Sequence, residues 1–196
     1  MIKVAISGNI ASGKSQVENI LLDLGYKVFD TDKINHKILS EDEKTINILK
    51  KTFQNIENED GSISKEKLAK IIFSNIEEKE KLEKILHEKI FNELNSLYKQ
   101  NEKEEFIFVS VPQLFESKKE KEFDKIIFVD ADEDIRLNRL IKRNNYTFEY
   151  AKTRINAQDK TDLKIKKSDF VITNNSDLDN LKNQVLNILQ QLTTRS

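Results

Sequence analysis

Five short apolar runs interrupt a chain that is otherwise strongly charged: Val4-Ala5-Ile6, Lys27-Val28-Phe29, Phe106-Ile107-Phe108-Val109, Ile126-Ile127-Phe128-Val129 and Phe170-Val171-Ile172. Their brevity and their β-branched and aromatic content predict buried strands. The segments between them carry apolar residues at helical spacing. The last sets Leu178, Leu181, Val185, Leu189 and Leu192 three or four apart, which predicts a closing helix with one apolar stripe. Strands alternating with helices predict an α/β fold, a parallel sheet covered on both faces by its crossover helices. The stretch from 33 to 104 breaks the rhythm, with several helical patterns and no strong strand signal. It reads as a helical insertion whose apolar faces come from Ile71, Ile72, Leu82, Ile85, Leu86, Ile90, Phe91 and Leu94. Asp60-Gly61-Ser62 punctuates it as a turn.

Length changes this picture little, since 196 residues fit one domain with an insertion. Charge changes it more. Lys and Arg number 33 against 34 Asp and Glu, so no whole-molecule field draws the chain to nucleic acid. Cysteine is absent, which removes disulfides, thiolate metal sites and a cysteine nucleophile. No apolar run approaches the roughly 20 residues that span a membrane, and Met1 leads directly into the first strand. A soluble, unprocessed cytoplasmic protein is expected, with no nucleic-acid or membrane partner.

Gly8-Asn9-Ile10-Ala11-Ser12-Gly13-Lys14-Ser15 fits the pattern G-x-x-x-x-G-K-[ST] between a predicted strand and the helical segment from Gln16 to Leu24. Such a loop turns its backbone N–H groups around phosphate oxygens, and the helix N-terminus behind it adds partial positive charge. Lys14 reaches the β- and γ-phosphates, and the Ser15 hydroxyl suits the magnesium ion that bridges them. The loop alone does not choose among switch proteins, motor-type ATPases and small-molecule kinases. A guanine-nucleotide switch would need Asp-x-x-Gly, which is missing, and Asn-Lys-x-Asp, of which Asn174-Asn175-Ser176-Asp177 keeps only the outer residues. A kinase is therefore expected ahead of a nucleotide-dependent switch. Asp30 and Asp32 end the second strand, at the edge where open α/β sheets bind ligands. Either carboxylate suits accepting a hydroxyl proton, and either suits capping the next helix.

Six ordered blocks together resemble the bacterial dephospho-coenzyme A kinase family over essentially the whole chain. They are Ser7 to Ser15; Asp30-Thr31-Asp32; Leu86-His87; Val111-Pro112-Gln113-Leu114-Phe115-Glu116; Arg139 and Arg143 with Arg154-Ile155-Asn156-Ala157-Gln158; and Val171-Ile172-Thr173-Asn174-Asn175. The chain departs from the family's pattern where Asn9 and Ala11 stand for glycines, Glu88 for a proline, Ser110 for an acidic residue and Gln113 for a leucine.

The resemblance implies a single kinase domain: a nucleotide-binding core of about residues 1–32 and 105–196, an acceptor-binding insertion of about 33–104, and a mobile lid near 143–158. It implies transfer of the ATP γ-phosphate to the ribose 3′-hydroxyl of dephospho-coenzyme A, the last step of coenzyme A biosynthesis. A nucleoside monophosphate-type kinase is the nearest alternative. The implied ATP contacts are Gly8, Ala11, Ser12, Gly13, Lys14, Ser15, Gln16 and Asn175, with Mg2+ on Ser15. Asp32 is the implied base, while Asp32, His87 and Arg139 face the acceptor. Lys14 and Arg143 would act on the transferred phosphoryl group, since a guanidinium clamps its equatorial oxygens bidentately. Arg154 is a further lid candidate, Arg136 is expected at the surface, and His36 on an exposed helix face. A monomer or weak homo-oligomer is expected.

Overall fold

The computed structural model describes residues 1–158 and 160–194. Side-chain alternation along the strands explains why this sheet is covered twice. Strand β1 (Ile2–Gly8) sends Val4 and Ile6 to one face and Ala5 to the other, and all three are fully buried. Its neighbours do the same: β3 (Phe106–Ser110), β4 (Lys125–Asp130) and β5 (Phe170–Thr173) place Phe106, Phe108, Ile127, Val129, Phe170 and Ile172 on the Val4 face. That face is closed by helix α1 (Lys14–Asp23) and the C-terminal helix α9 (Leu178–Thr194), through Val17, Ile20, Leu21, Leu181, Val185, Leu189 and Leu192. Ala5, Ile126 and Phe128 meet Leu114 and Phe115 on the opposite face. Each large side chain buried in this way contributes about 1.5–3 kcal/mol. With β2 (Lys27–Asp30) the five parallel strands run in the order β2-β3-β1-β4-β5, and β1 pairs with β3 and β4 on its two sides. The α/β expectation holds. The final stripe is core except for Leu178, which is exposed one residue into the helix.

The chain separates into two compact units, Met1–Phe29 with Lys103–Ser196, and Asp30–Glu102. The second is helical: α2 (Thr31–Glu41), α3 (Glu43–Thr52), α4 (Lys65–Ser74) and α5 (Ile76–Gln100) enclose Ile38, Leu49, Phe53, Ile56, Ile63, Leu68, Leu82 and Leu86. Each helix starts on a side chain that accepts backbone N–H bonds, from Asp30, Asp42, Ser64 and Asn75 in turn. Gly61 takes the left-handed conformation in the Asp60 to Ser62 turn, and an isolated bridge joins Glu57 to Ile63 beside it. Phe91 departs from expectation: it is 45% exposed, whereas Leu86 and Leu94 on the same helix are buried.

In the first unit, α6 (Glu133–Asn144), α7 (Phe148–Asn156) and α8 (Thr161–Lys166) join β4 to β5. Asn145 in the left-handed conformation ends α6 and turns the chain into α7. Among the described residues, no helix is long and apolar enough to cross a membrane.

Candidate active site

The phosphate loop forms because glycine stands where a side chain would not fit. A Cβ on Gly8 would lie 2.6 Å from the Val129 carbonyl oxygen and 2.8 Å from Ser12 Oγ. Gly13 caps α1 at φ +94° with no side-chain hydrogen bond, so the first turn of that helix presents its N–H groups toward an anion. Ala11 adopts φ +60°, unusual for a residue with a Cβ. Its methyl group and Ile10 pack against an apolar cluster of Leu137, Leu140, Ala151 and Ile155 contributed by α6 and α7.

Polar bonds tie the loop to distant parts of the chain. Asn9 is buried, and its Nδ2 donates to Asp130 Oδ1 at 3.2 Å and to Thr161 Oγ1 at 2.8 Å. The Ile10 N–H donates to Gln158 Oε1 at 2.8 Å. The Ser12 carbonyl accepts from Asn174 Nδ2 at 2.8 Å and from Arg139 Nη1 at 3.3 Å. Arg139 Nη2 also donates to the Asn174 carbonyl at 3.0 Å. Asn175 is turned toward α6, where its Oδ1 accepts the Asp132 N–H at 2.9 Å. Ser12 Oγ and Asn9 Oδ1 are buried with no hydrogen-bond partner. The Ser12 hydroxyl can donate to a phosphate oxygen, whereas Asn9 Oδ1 only accepts and suits ordered water.

Lys14 lies in this frame as an ion pair. Its Nζ is 2.6 Å from Glu18 Oε1 one helical turn on, both side chains being largely buried. It also donates to Ser110 Oγ, and that fully buried hydroxyl donates onward to Glu18 Oε1 at 2.7 Å. Ser15 and Gln16 are exposed at the start of α1, and Gln16 Oε1 accepts from Asn174 Nδ2 at 3.0 Å. Among the described residues no cluster of three or more acidic or histidine side chains would hold a metal by itself. A nucleotide-bound Mg2+, which keeps phosphate and water ligands and takes few from protein, fits a lone serine hydroxyl.

The arginines separate. Arg143 is exposed, its Nε donating to Asn144 Oδ1 at 2.9 Å, and Arg154 is exposed on α7. Arg136 corrects the surface expectation, for it is buried and its Nε donates to the Ala131 carbonyl at 2.9 Å. In the helical unit Asp30 is the N-cap of α2, accepting from the Asp32 and Lys33 N–H groups at 2.8 and 3.3 Å. Asp32 is exposed in the first turn of that helix. His87 is half-buried on α5 and His36 is exposed. A cleft of about 440 Å3 within this unit is lined by Lys37, Asp42, Lys89, Asn92 and neighbours.

Asn174, Asp130 and Glu18 bond to the loop or its lysine in ways the sequence concealed, whereas Gln16 was among the expected contacts. Only Glu18 carried a local signal, its spacing of four from Lys14 on one helix.

The family model described as dephospho-CoA kinase (CoaE) matches residues 2–180. A dephospho-CoA kinase of Fusobacterium nucleatum is 40% identical over 183 residues, 93% of this chain and 94% of that protein. One of Listeria innocua is 36% identical over 193 residues, 96% of each chain. The solved dephospho-CoA kinase of Campylobacter jejuni is 29% identical with a TM-score of 0.72, covering 98% of this chain and 97% of its own.

Proposed function

The chain belongs to the dephospho-CoA kinase family and phosphorylates dephospho-CoA with ATP in coenzyme A biosynthesis, and we propose that Asp32 takes the proton from the ribose 3′-hydroxyl as it attacks the γ-phosphorus. The observation that carries the phosphate end of this reading is the loop itself, with its two glycines, the capless N-terminus of α1 and Lys14 at its root.

The loop's N–H groups and the start of α1 bind the phosphate chain, and Lys14 adds a point charge to it. The Ser15 hydroxyl would hold Mg2+, which would supply charge neutralisation to the phosphate chain. Asp32 receives this role from the match of Asp30-Thr31-Asp32 to the family's pattern, while Asp30 accepts the Asp32 and Lys33 N–H groups as the N-cap of α2. As the bond from the hydroxyl oxygen to phosphorus forms and that to the ADP oxygen breaks, the hydroxyl proton passes to Asp32. Arg143, exposed at the end of α6, covers the transferred group when residues 143–158 close as a lid, and so keeps water away from it. Residues 33–104 receive the acceptor. His87 and the remaining guanidinium donors of Arg139 contact it. A cytoplasmic protein, monomeric or weakly homo-oligomeric, suits a reaction between two diffusible small molecules.

The test is a product-identified assay of ATP consumption with dephospho-CoA, AMP, CMP and dTMP as acceptors. Coenzyme A, which is dephospho-CoA phosphorylated at its ribose 3′-hydroxyl, is the expected product together with ADP, and preferential use of a nucleoside monophosphate would sink the reading.

A further inference from the structure

Lys14 occupies a place on α1 that helix energetics do not reward. A cation in the first turn opposes the helix dipole, and a lysine four residues before a glutamate is the less favourable order of that pair. The pair is nonetheless largely buried at 2.6 Å, and a fully buried serine from another element completes a triangle with it. Burying two charges costs free energy that close geometry and further hydrogen bonds, here from Ser110, must offset.

We propose that Glu18, steadied by Ser110, is a positioning residue for the phosphate-binding lysine, an inference that rests on Lys14 acting on ATP. An ammonium has three N–H donors. Glu18 and Ser110 take two, which fixes the nitrogen and aims the third at a phosphate oxygen. The lysine's rotamer freedom is spent during folding instead of on nucleotide binding. The carboxylate also moderates the lysine's charge, so α1 tolerates the cation before ATP arrives. Nothing in the triangle requires the carboxylate to come from α1: an aspartate at position 110 would carry its oxygens about one bond beyond the present hydroxyl, which already touches Lys14.

Position swapping therefore tests the proposal. Glu18→Ala should lower kcat/KM for ATP about two- to tenfold, the cost of ordering one long side chain on binding, with KM for dephospho-CoA unmoved. Ser110→Asp alone should also lose activity, because two carboxylates then crowd one ammonium. Glu18→Ala combined with Ser110→Asp should recover most of the loss. Where the double variant fails to fold, Glu18→Gln serves: it keeps size and an acceptor but not charge, and should fall between wild type and Glu18→Ala. Folding is followed by thermal denaturation. Wild-type kcat/KM for ATP in both Glu18→Ala and Glu18→Gln overturns the proposal, as does a folded double variant no better than Glu18→Ala, or a loss confined to KM for dephospho-CoA. Lys14→Ala separates the two readings. If it retains turnover, Lys14 does not act on ATP; if it abolishes turnover while the Glu18 variants behave as wild type, only the positioning role falls.

Discussion

Gly13 and Asn174 compete for the same volume: a Cβ on Gly13 would lie 2.0 Å from Asn174 Nδ2, the atom that bonds the Ser12 carbonyl and Gln16. Asn174, just past the last strand of the sheet, thus braces the phosphate loop through the space that Gly13 leaves open. Gly13→Ala should evict this amide and also force an alanine to φ +94°, which costs about 1–2 kcal/mol by itself. Calorimetric titration with Mg-ATP should show affinity reduced at least about tenfold, and adding Asn174→Gly should return only part of it, since the backbone strain remains. Full recovery in the double variant would mean that crowding alone set the requirement.

Asp30 ends β2 and Asp32 follows it, and isosteric changes test the proposed division of work between their carboxylates. Asparagine caps a helix about as well as aspartate, so Asp30→Asn should leave stability and turnover close to wild type. Asp32→Asn should keep ATP affinity and melting temperature while single-turnover phosphorylation slows about 10²–10⁴-fold. The slowing should sit toward the lower figure if the proton moves late in a loose transition state. The opposite outcome, a silent Asp32→Asn beside an inactive but folded Asp30→Asn, assigns the base to Asp30.

Arg143 contributes no bond to the core, being exposed and joined only to the Asn144 side chain among the bonds described. Arg143→Lys should leave thermal unfolding unchanged. Turnover should nonetheless fall at least about tenfold, because lysine keeps the charge but not the planar fork that grips two phosphoryl oxygens. Unaltered kcat in a folded variant would return Arg143 to the solvated surface.

Acid sensitivity of the helical unit should have Asp42 among its contributors. The Thr45 hydroxyl donates to Asp42 Oδ2 at 2.5 Å and holds that carboxyl below the usual carboxylate range. The backbone N–H groups of Thr45 and Lys44 and the charge of Lys89 assist, against an opposing effect of burial. A folded pKa below the unfolded one means that the stabilisation is complete above the ordinary value of about 3.9 and is lost as pH falls through the folded value. Asp42→Ala should therefore cost about 1 kcal/mol at neutral pH as a lost N-cap, and the gap from wild type should narrow in acid. Urea denaturation at the two pH values checks it; a constant gap would assign the cost to something other than the carboxylate.

What could be read in the sequence was whatever the chain encodes contiguously. The strands were legible because Phe106 to Val109 or Ile126 to Val129 declare burial on both faces within four residues, and the phosphate loop because its glycines, lysine and serine are consecutive. Arg136 was misread for a related reason. Its spacing from Arg139 and Arg143 describes one charged helix face, whereas its burial comes from a bond to Ala131 before the helix begins. Asn174 reaches the loop across 162 positions, and no local pattern announces such a bond. The spacing of Glu18 from Lys14 allows a pair on one helix face, but only Ser110 on β3 makes that pair a closed triangle.

Two residues of the phosphate loop, Ile10 and Ala11, are rooted in the same apolar cluster as Ala151 and Ile155 of α7. A loop with bare glycine at position 11 would be free to vary independently of that helix. Here a methyl group at positive φ is held by the packing around it, so enlarging Ala151 or trimming Ile155 would disturb the backbone that cradles phosphate. Evolutionary drift at these two buried positions is thereby policed by nucleotide chemistry, and compensating changes should be sought as pairs, one in α7 and one in the loop.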